Sequence, residues 1–153
     1  MKKLRIYVDM DGVIADFDKA AKETAIKKGV NKLTRPDLHV DYLFLDIIKG
    51  AEKAIKYLNK NHEVFIASTP PWSRIQCWAD KRAWLERWFP DLKRKLILTH
   101  RKDLLIGDAL IDDSHYRGQK DFKGHWFWFN RKWSNKNWKA CLEFIKILEN
   151  EEI

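Results

Sequence analysis

Short apolar runs that stop at charged or hydroxyl-bearing residues restrict the fold of this chain more than any other feature. Leu4–Val8 (LRIYV) runs straight into Asp9-Met10-Asp11-Gly12. Glu63–Ser68 (EVFIAS) continues into Thr69 and is stopped by Pro70 and Pro71, which bring no backbone donor. Lys95–Thr99 (KLILT) is followed by Lys102, and Ala109–Asp113 (ALIDD) closes on Asp112 and Asp113. A fifth run, His125–Phe129 (HWFWF), is aromatic. Continuous apolar runs of this length predict strands buried on both faces.

Helices are predicted between these runs, over Ala15–Lys28, about Gly50–Asn59, Gln76–Phe89 and Asn135–Glu149. Ala51, Ala54, Ile55 and Leu58 share one face of the second, and Trp138, Leu142, Ile145 and Leu148 one face of the last. Pro90 stops the third, and Asn31–Asp46, with Pro36, reads as irregular. Strands that alternate with helices predict an α/β fold with a parallel sheet covered on both faces. Ligands of such sheets sit outside the carboxyl ends of the strands. Four strands then aim Asp9 and Asp11, Ser68 and Thr69, Lys102, and Asp112 with Asp113 at one crevice.

That set asks for particular chemistry. Clustered carboxylates repel unless a cation or a shared proton intervenes. Oxygen-only ligands suit Mg²⁺, and no His or Cys cluster offers a zinc site. A lysine and hydroxyls beside such a metal suit a phosphoryl group. Asp9 is a candidate nucleophile toward phosphorus, forming an aspartyl-phosphate, with Asp11 as acid and base for the leaving alkoxide and for water. Two unit charges about 4 Å apart at an effective dielectric near 20 interact by roughly 4 kcal/mol. Mg²⁺ and Lys102 would offset that repulsion between Asp9 and a phosphate. Gly12 gives backbone freedom just past the site.

Composition excludes several classes. Apolar residues make up 45% of the 153, enough for a core, and charged residues are interspersed, which argues against disorder. No leader or membrane-length apolar run is present, and a cytoplasmic protein with two buried free thiols, Cys77 and Cys141, is expected. A net charge of +8 favours phosphates or nucleic acid as partners, or is a lysine-rich solvated surface. Trp78, Trp84, Trp88 and Trp138 fall at helical spacing and are expected in the core.

The motifs together resemble those of the haloacid dehalogenase-like (HAD) phosphohydrolases: Asp9 and Asp11, then Ser68, then Lys102, then Asp112 with Asp113. Within that superfamily the chain is most similar to the 5'(3')-deoxyribonucleotidases. "DMDGVIADF" (Asp9–Phe17) resembles their opening, and "STP" (Ser68–Pro70) is a swapped form of their Thr-Ser-Pro. "KRAWLERWF" (Lys81–Phe89), "LILTHRKDLLIGDALIDD" (Leu96–Asp113) and "WSNKNWKACLEFI" (Trp133–Ile145) are similar to further blocks of the family. The resemblance implies a Rossmann-like three-layer HAD fold in one domain, 1–153, with core 1–16 and 47–153 and a small cap, 17–46, after the first strand. It implies a Mg²⁺-dependent phosphomonoesterase acting on nucleoside monophosphates.

By the same resemblance Asp9 is nucleophile and metal ligand. Asp11 is the acid and base and lends its backbone carbonyl to the metal. Asp113 is the direct ligand, with Asp112 beside it. Ser68, Thr69 and Lys102 hold the phosphate. Phe17 matches a position of the substrate pocket, or else packs in the core. The cap is shorter than the family's, and His100 stands where the family has arginine. His39, Tyr42 and Phe44 are candidates for the missing base-stacking pair, or pack locally. A short cap leaves open another phosphorylated metabolite or a polynucleotide end. From a different class, His125–Trp133 with its Lys and Arg would suit a catalytically silent nucleic-acid-binding module.

Overall fold

Ile6, Tyr7 and Val8 are buried on both sides of their strand, so the first strand takes the middle of a sheet. The computed structural model describes residues 1–151, apart from the side chains of 134 and 135. Its strands are β1 (Arg5–Val8), β2 (Glu63–Ser68), β3 (Leu96–Leu98), β4 (Ala109–Asp112) and β5 (His125–Trp128). They form one five-stranded sheet in the order β3-β2-β1-β4-β5, and every pairing is parallel. Val8 pairs with Ile66 on one side and Ile111 on the other. The helices are α1 (Phe17–Lys27), α2 (Ala51–Asn61), α3 (Ile75–Trp88) and α4 (Asn137–Glu149).

This is the expected α/β, Rossmann-like architecture of the HAD fold. Its two faces are covered differently. Ile6, Val8, Val64, Ile66, Ala109 and Ile111 join residues of α2, α3 and α4 in one large core. The opposite face, with Tyr7, Ala67 and Leu110, is closed by Phe122 and partly by Leu105. No α-helix lies between β3 and β4 or between β4 and β5; short 3-10 turns at Lys102–Leu104 and Gln119–Asp121 stand there. About a dozen residues are needed for a helical crossover, and the first connection has fewer.

Local chemistry moves the expected boundaries by a residue or two. The N–H groups of Val13, Ile14 and Ala15 all point at the Met10 carbonyl, at 3.3, 3.0 and 2.9 Å. The chain is therefore still turning at Ala15, and α1 begins past it, with the Asp16 side chain accepting from Lys19 N at 3.2 Å. Gly12 sits inside this turn at φ +79°, where a side chain would be strained. A Cβ there would also lie 2.6 Å from Arg131 Nε.

Residues 17–46 hold α1 and 3-10 turns at Pro36–Leu38 and Tyr42–Phe44. The segment is tied to α3: Arg74 Nη1 donates to the carbonyls of Asp37 (3.0 Å) and Val40 (2.6 Å), and Trp84 Nε1 donates to Leu45 O (2.7 Å). Trp84 and Trp138 are core residues as expected, while Trp78 and Trp88 are only half-buried. The buried stripe of α3 is Cys77, Lys81, Trp84 and Leu85, and Trp78 falls beside it. Both cysteines are buried free thiols, and burial pushes each thiol pKa up. Among the described residues no helix is long and apolar enough to cross a membrane.

Candidate active site

Asp9 extends β1 by one residue, its N–H donating to Ile111 O at 2.8 Å. That bond fixes the carboxylate at the carboxyl end of the central strand. Lys102 comes from the turn after β3 and is buried; its ammonium donates to Asp9 Oδ1 at 2.9 Å and to Asp112 Oδ2. Burial alone would raise the Asp9 pKa, but the Lys102 charge, a hydrogen bond with Asp113 and the Lys81 charge outweigh it, so Asp9 lies below the ordinary carboxylate value. Burial likewise opposes the charge on Lys102, and Asp9 and Asp112 overcome it, raising its pKa. The two groups hold each other ionised.

Asp11 lies past the sheet, in the turn around Met10. Lys81 reaches it from α3, donating to Asp11 Oδ2 at 2.7 Å and to Ser68 Oγ at 2.8 Å. The same ammonium stands 4.6 Å from the centre of the Tyr42 ring. The other oxygen of Asp11, Oδ1, is buried without a hydrogen-bond partner among the described residues.

The acid pair ends β4. One oxygen of Asp112 takes Lys102 and the other accepts Ser114 N at 2.9 Å. Asp113 accepts from Arg131 Nε, and Arg131 Nη1 reaches Asp18 at 2.6 Å. Burial, then the nearby charge of Asp9, pushes Asp112 up to about 6 and Asp113 up to about 9. Carboxylate oxygens of Asp9, Asp112 and Asp113 lie within 4.8 Å of one another. Three carboxylates this close resist full ionisation, and a hard cation with oxygen ligands relieves that. The unpartnered Asp11 Oδ1 adds an unused acceptor nearby. The residues present therefore fit a divalent metal.

These groups open on one cavity of about 580 Å³, lined on the chemical side by Asp9, Asp11, Thr69, Lys102, Asp113 and Arg131. The outer wall carries Phe17, Tyr42, Trp72, His100, Arg35 and Arg117.

Comparison with known proteins decides the family. Residues 30–142 match the model of the family described as "5' nucleotidase, deoxy (Pyrimidine), cytosolic type C protein". That match starts past Asp9 and Asp11 and spans the second, third and fourth motifs. The chain is 30% identical to the 5'(3')-deoxyribonucleotidase of Bacillus subtilis over 174 aligned positions, covering 100% of this chain and 97% of that one. It is 29% identical to the human cytosolic 5'(3')-deoxyribonucleotidase over 152 positions, covering 78% and 76%. A Vibrio phage KVP40 protein provisionally named as a 5'(3')-deoxyribonucleotidase is 35% identical over 121 positions, 78% of this chain and 71% of its own. The chain belongs to the 5'(3')-deoxyribonucleotidase family. It is a phosphoric monoester hydrolase whose substrate is a nucleotide monophosphate.

The structure sorts the residues read from the sequence. Asp9, Asp11, Thr69, Lys102 and Asp113 meet in the cavity, and so do Phe17, Tyr42 and His100. Phe17 is also a core residue, packed on Tyr42 with ring centres 5.8 Å apart. Ser68 and Asp112 are buried beneath the cavity surface, engaged by Lys81 and Lys102. Phe44 is 67% exposed and stands outside the cavity lining, because the 3-10 turn that buries Tyr42 turns Phe44 outward. His39 is likewise exposed and outside it.

Three residues of this deoxyribonucleotidase family member went unread. Lys81 had a signal: it lies on the same helical stripe as Cys77, Trp84 and Leu85, and a lysine in a buried stripe must find a carboxylate. Trp72 follows the second motif by three residues, and Arg131 sits within the aromatic segment His125–Trp133; neither position carries a periodicity that marks it.

Proposed function

We propose that this chain hydrolyses deoxynucleoside monophosphates to nucleoside and phosphate, with Asp9 as nucleophile and Mg²⁺ as cofactor. The observation that carries this is Asp9 itself: a buried carboxylate at a strand end, held ionised by Lys102, facing a cavity. An oxygen of Asp9 attacks phosphorus, and the bond from phosphorus to the ester oxygen breaks. The departing alkoxide takes a proton from the Asp11 carboxyl, leaving as the nucleoside. A water then gives its proton to the Asp11 carboxylate and attacks phosphorus. The Asp9–phosphorus bond breaks, phosphate is released, and Asp9 and Asp11 return to their starting states.

Lys102 holds the phosphoryl oxygens from one side, and Thr69, whose hydroxyl donates to Thr99 O, lines the other. Ser68 acts from beneath, steadying Lys81. Lys81 in turn orients Asp11 and leaves its second oxygen free for the proton. Asp9, Asp113 and the Asp11 backbone carbonyl would hold the metal, with Asp112 setting Lys102 beside them. Mg²⁺ bound there supplies positive charge against the phosphoryl oxygens and the crowded carboxylates. Residues 17–46 serve as a small cap: Tyr42 and Phe17 close the cavity on the sugar side, and the rest of its rim stays open.

The test is phosphate release from deoxy- and ribonucleoside 5'- and 3'-monophosphates, with Mg²⁺ and with chelator, using Asp9→Asn as the blank. Metal-dependent release that favours deoxynucleotides is expected. Hydrolysis of an aryl phosphate with no nucleotide turned over would overturn the substrate reading. Release undiminished in chelator would overturn the metal.

A further inference from the structure

The two loops that carry Thr69 and Lys102 each carry an aromatic ring as well. Trp72 lies three residues past Thr69, and His100 two residues before Lys102. Their rings meet: Trp72 and His100 have centres 5.8 Å apart at 76°, and both also touch Trp78, at 5.9 and 5.8 Å. Trp78 locks the cluster, because its Nε1 donates to Pro71 O at 3.2 Å. Thr69 Oγ1 donates to Thr99 O at 2.7 Å and so ties one loop to the other. Pro70 and Pro71 stiffen the intervening chain. An indole that is 77% exposed is thus braced by two neighbouring rings.

Exposure of one tryptophan is ordinary, but its place here is not. Trp72 and His100 line the same cavity as Asp9 and Lys102. Three residues of extended chain reach at most about 11 Å, so Trp72 stands within a nucleotide's length of the Thr69 backbone. A second observation points to a ligand. Gln119 is 1% exposed and lines that cavity; its Oε1 accepts Arg117 N at 2.7 Å, while its Nε2 is buried with no partner among the described residues. An unused buried donor lining the same cavity as an exposed ring suits a flat ligand group with acceptors at its edge.

We propose that the Trp72–His100–Trp78 cluster is the nucleobase platform of this enzyme, with Trp72 stacking on the base of the bound nucleotide. This rests on the nucleotidase reading above. A ring face does not read the hydrogen-bonding pattern of a base, and every base has a π-face and ring acceptors. The platform therefore favours any nucleotide over a base-less sugar phosphate, and binds purine and pyrimidine nucleotides alike.

The experiment compares kcat and KM for dGMP, dTMP and base-less deoxyribose 5-phosphate, in the wild type, Trp72→Ala and Trp72→Phe. In Trp72→Ala the preference for both nucleotides over deoxyribose 5-phosphate falls by roughly tenfold. The fall appears in KM, with kcat for the nucleotides moving far less. Trp72→Phe restores most of it. Equal losses on all three substrates would overturn the proposal and leave Trp72 a structural residue. An unchanged preference, or a loss confined to one base, would overturn it too. Wild-type turnover of deoxyribose 5-phosphate reports separately on the hydrolase reading, since it needs no base platform.

Discussion

Asp9 and Asp11 are separated by one residue, yet they stand in opposite surroundings. Asp9 continues the central strand, is buried, and meets Lys102 from the turn after β3. Asp11 lies in the turn that closes on Met10 O, has a side chain 21% exposed, and meets Lys81 from α3. Lys102 is shared with a third carboxylate, whereas Lys81 is shared with a hydroxyl. Cations and a neighbouring acid hold Asp9 ionised. Asp11 keeps one oxygen on a lysine and one without a partner among the described residues. In the proposed mechanism two identical side chains receive different work from their positions: the fixed, charged one attacks, and the one with a free oxygen carries a proton.

The widest contrast is in kcat. Asp9→Asn removes the attacking oxygen and is expected to lower kcat by about 10⁴-fold or more. Steady-state phosphate release measures it, and near wild-type turnover would end the covalent mechanism. Asp11→Asn is expected to cost about 10²- to 10⁴-fold on nucleotides. With an aryl phosphate, whose leaving group needs no proton, Asp11→Asn should give a burst of aryl alcohol followed by slow turnover. Rapid-mix absorbance reads the burst. Its absence, with equal losses on both substrates, would give the two aspartates the same role.

Stability sharpens the comparison next. Lys102→Met leaves Asp9 and Asp112 buried without their shared ammonium, at a cost of about 3–5 kcal/mol. That corresponds to a fall in Tm of roughly 10 °C for a chain of this size. Lys81→Met leaves Asp11 partly open to water and costs about 1–2 kcal/mol, a few degrees. Thermal unfolding of both variants compares them, and equal shifts would erase the distinction between the pairs.

The smallest effect concerns pH. Asp112 and Asp113 have folded pKa values raised to about 6 and about 9, against about 4 for an unfolded aspartate. The metal-free folded protein then binds more protons than the unfolded chain between about pH 4 and pH 9. Its stability falls as pH rises through that window. Asp9 runs the other way: its lowered value adds stability above about pH 4 that is lost as pH falls. A cation on the acid pair takes over from the protons, so the gain in Tm from Mg²⁺ should be larger at pH 8 than at pH 5. Unfolding curves with Mg²⁺ and with chelator decide it.

Much of this was legible because the chemistry sits where strands end. An apolar run that stops at Asp9, Ser68 or Asp112 shows both the strand and the group it delivers, and the parallel order then brings those ends together. Lys102 was legible by its place after β3. The outer wall was not, because it depends on how turns fold. Tyr42 and Phe44 are indistinguishable in sequence, and one 3-10 turn sends them to opposite environments. Trp78 has the spacing of a core residue but lies beside the buried stripe of α3, where it meets His100 from a distant loop. Arg131 reaches Asp113 and Asp18 across contacts that no local pattern encodes.

The place of β1 has a consequence for how the chain is made. Its neighbours are β2, residues 63–68, and β4, residues 109–112. A nascent chain that has reached β2 has one side of β1 paired and the other bare: an apolar edge with unsatisfied amides, open to strands of other molecules. At that stage Asp9 is already present, without Lys102 or the acid pair. β4 covers that edge and brings the acid pair at the same time, and the open edge then passes to β4 itself until β5, residues 125–128, docks.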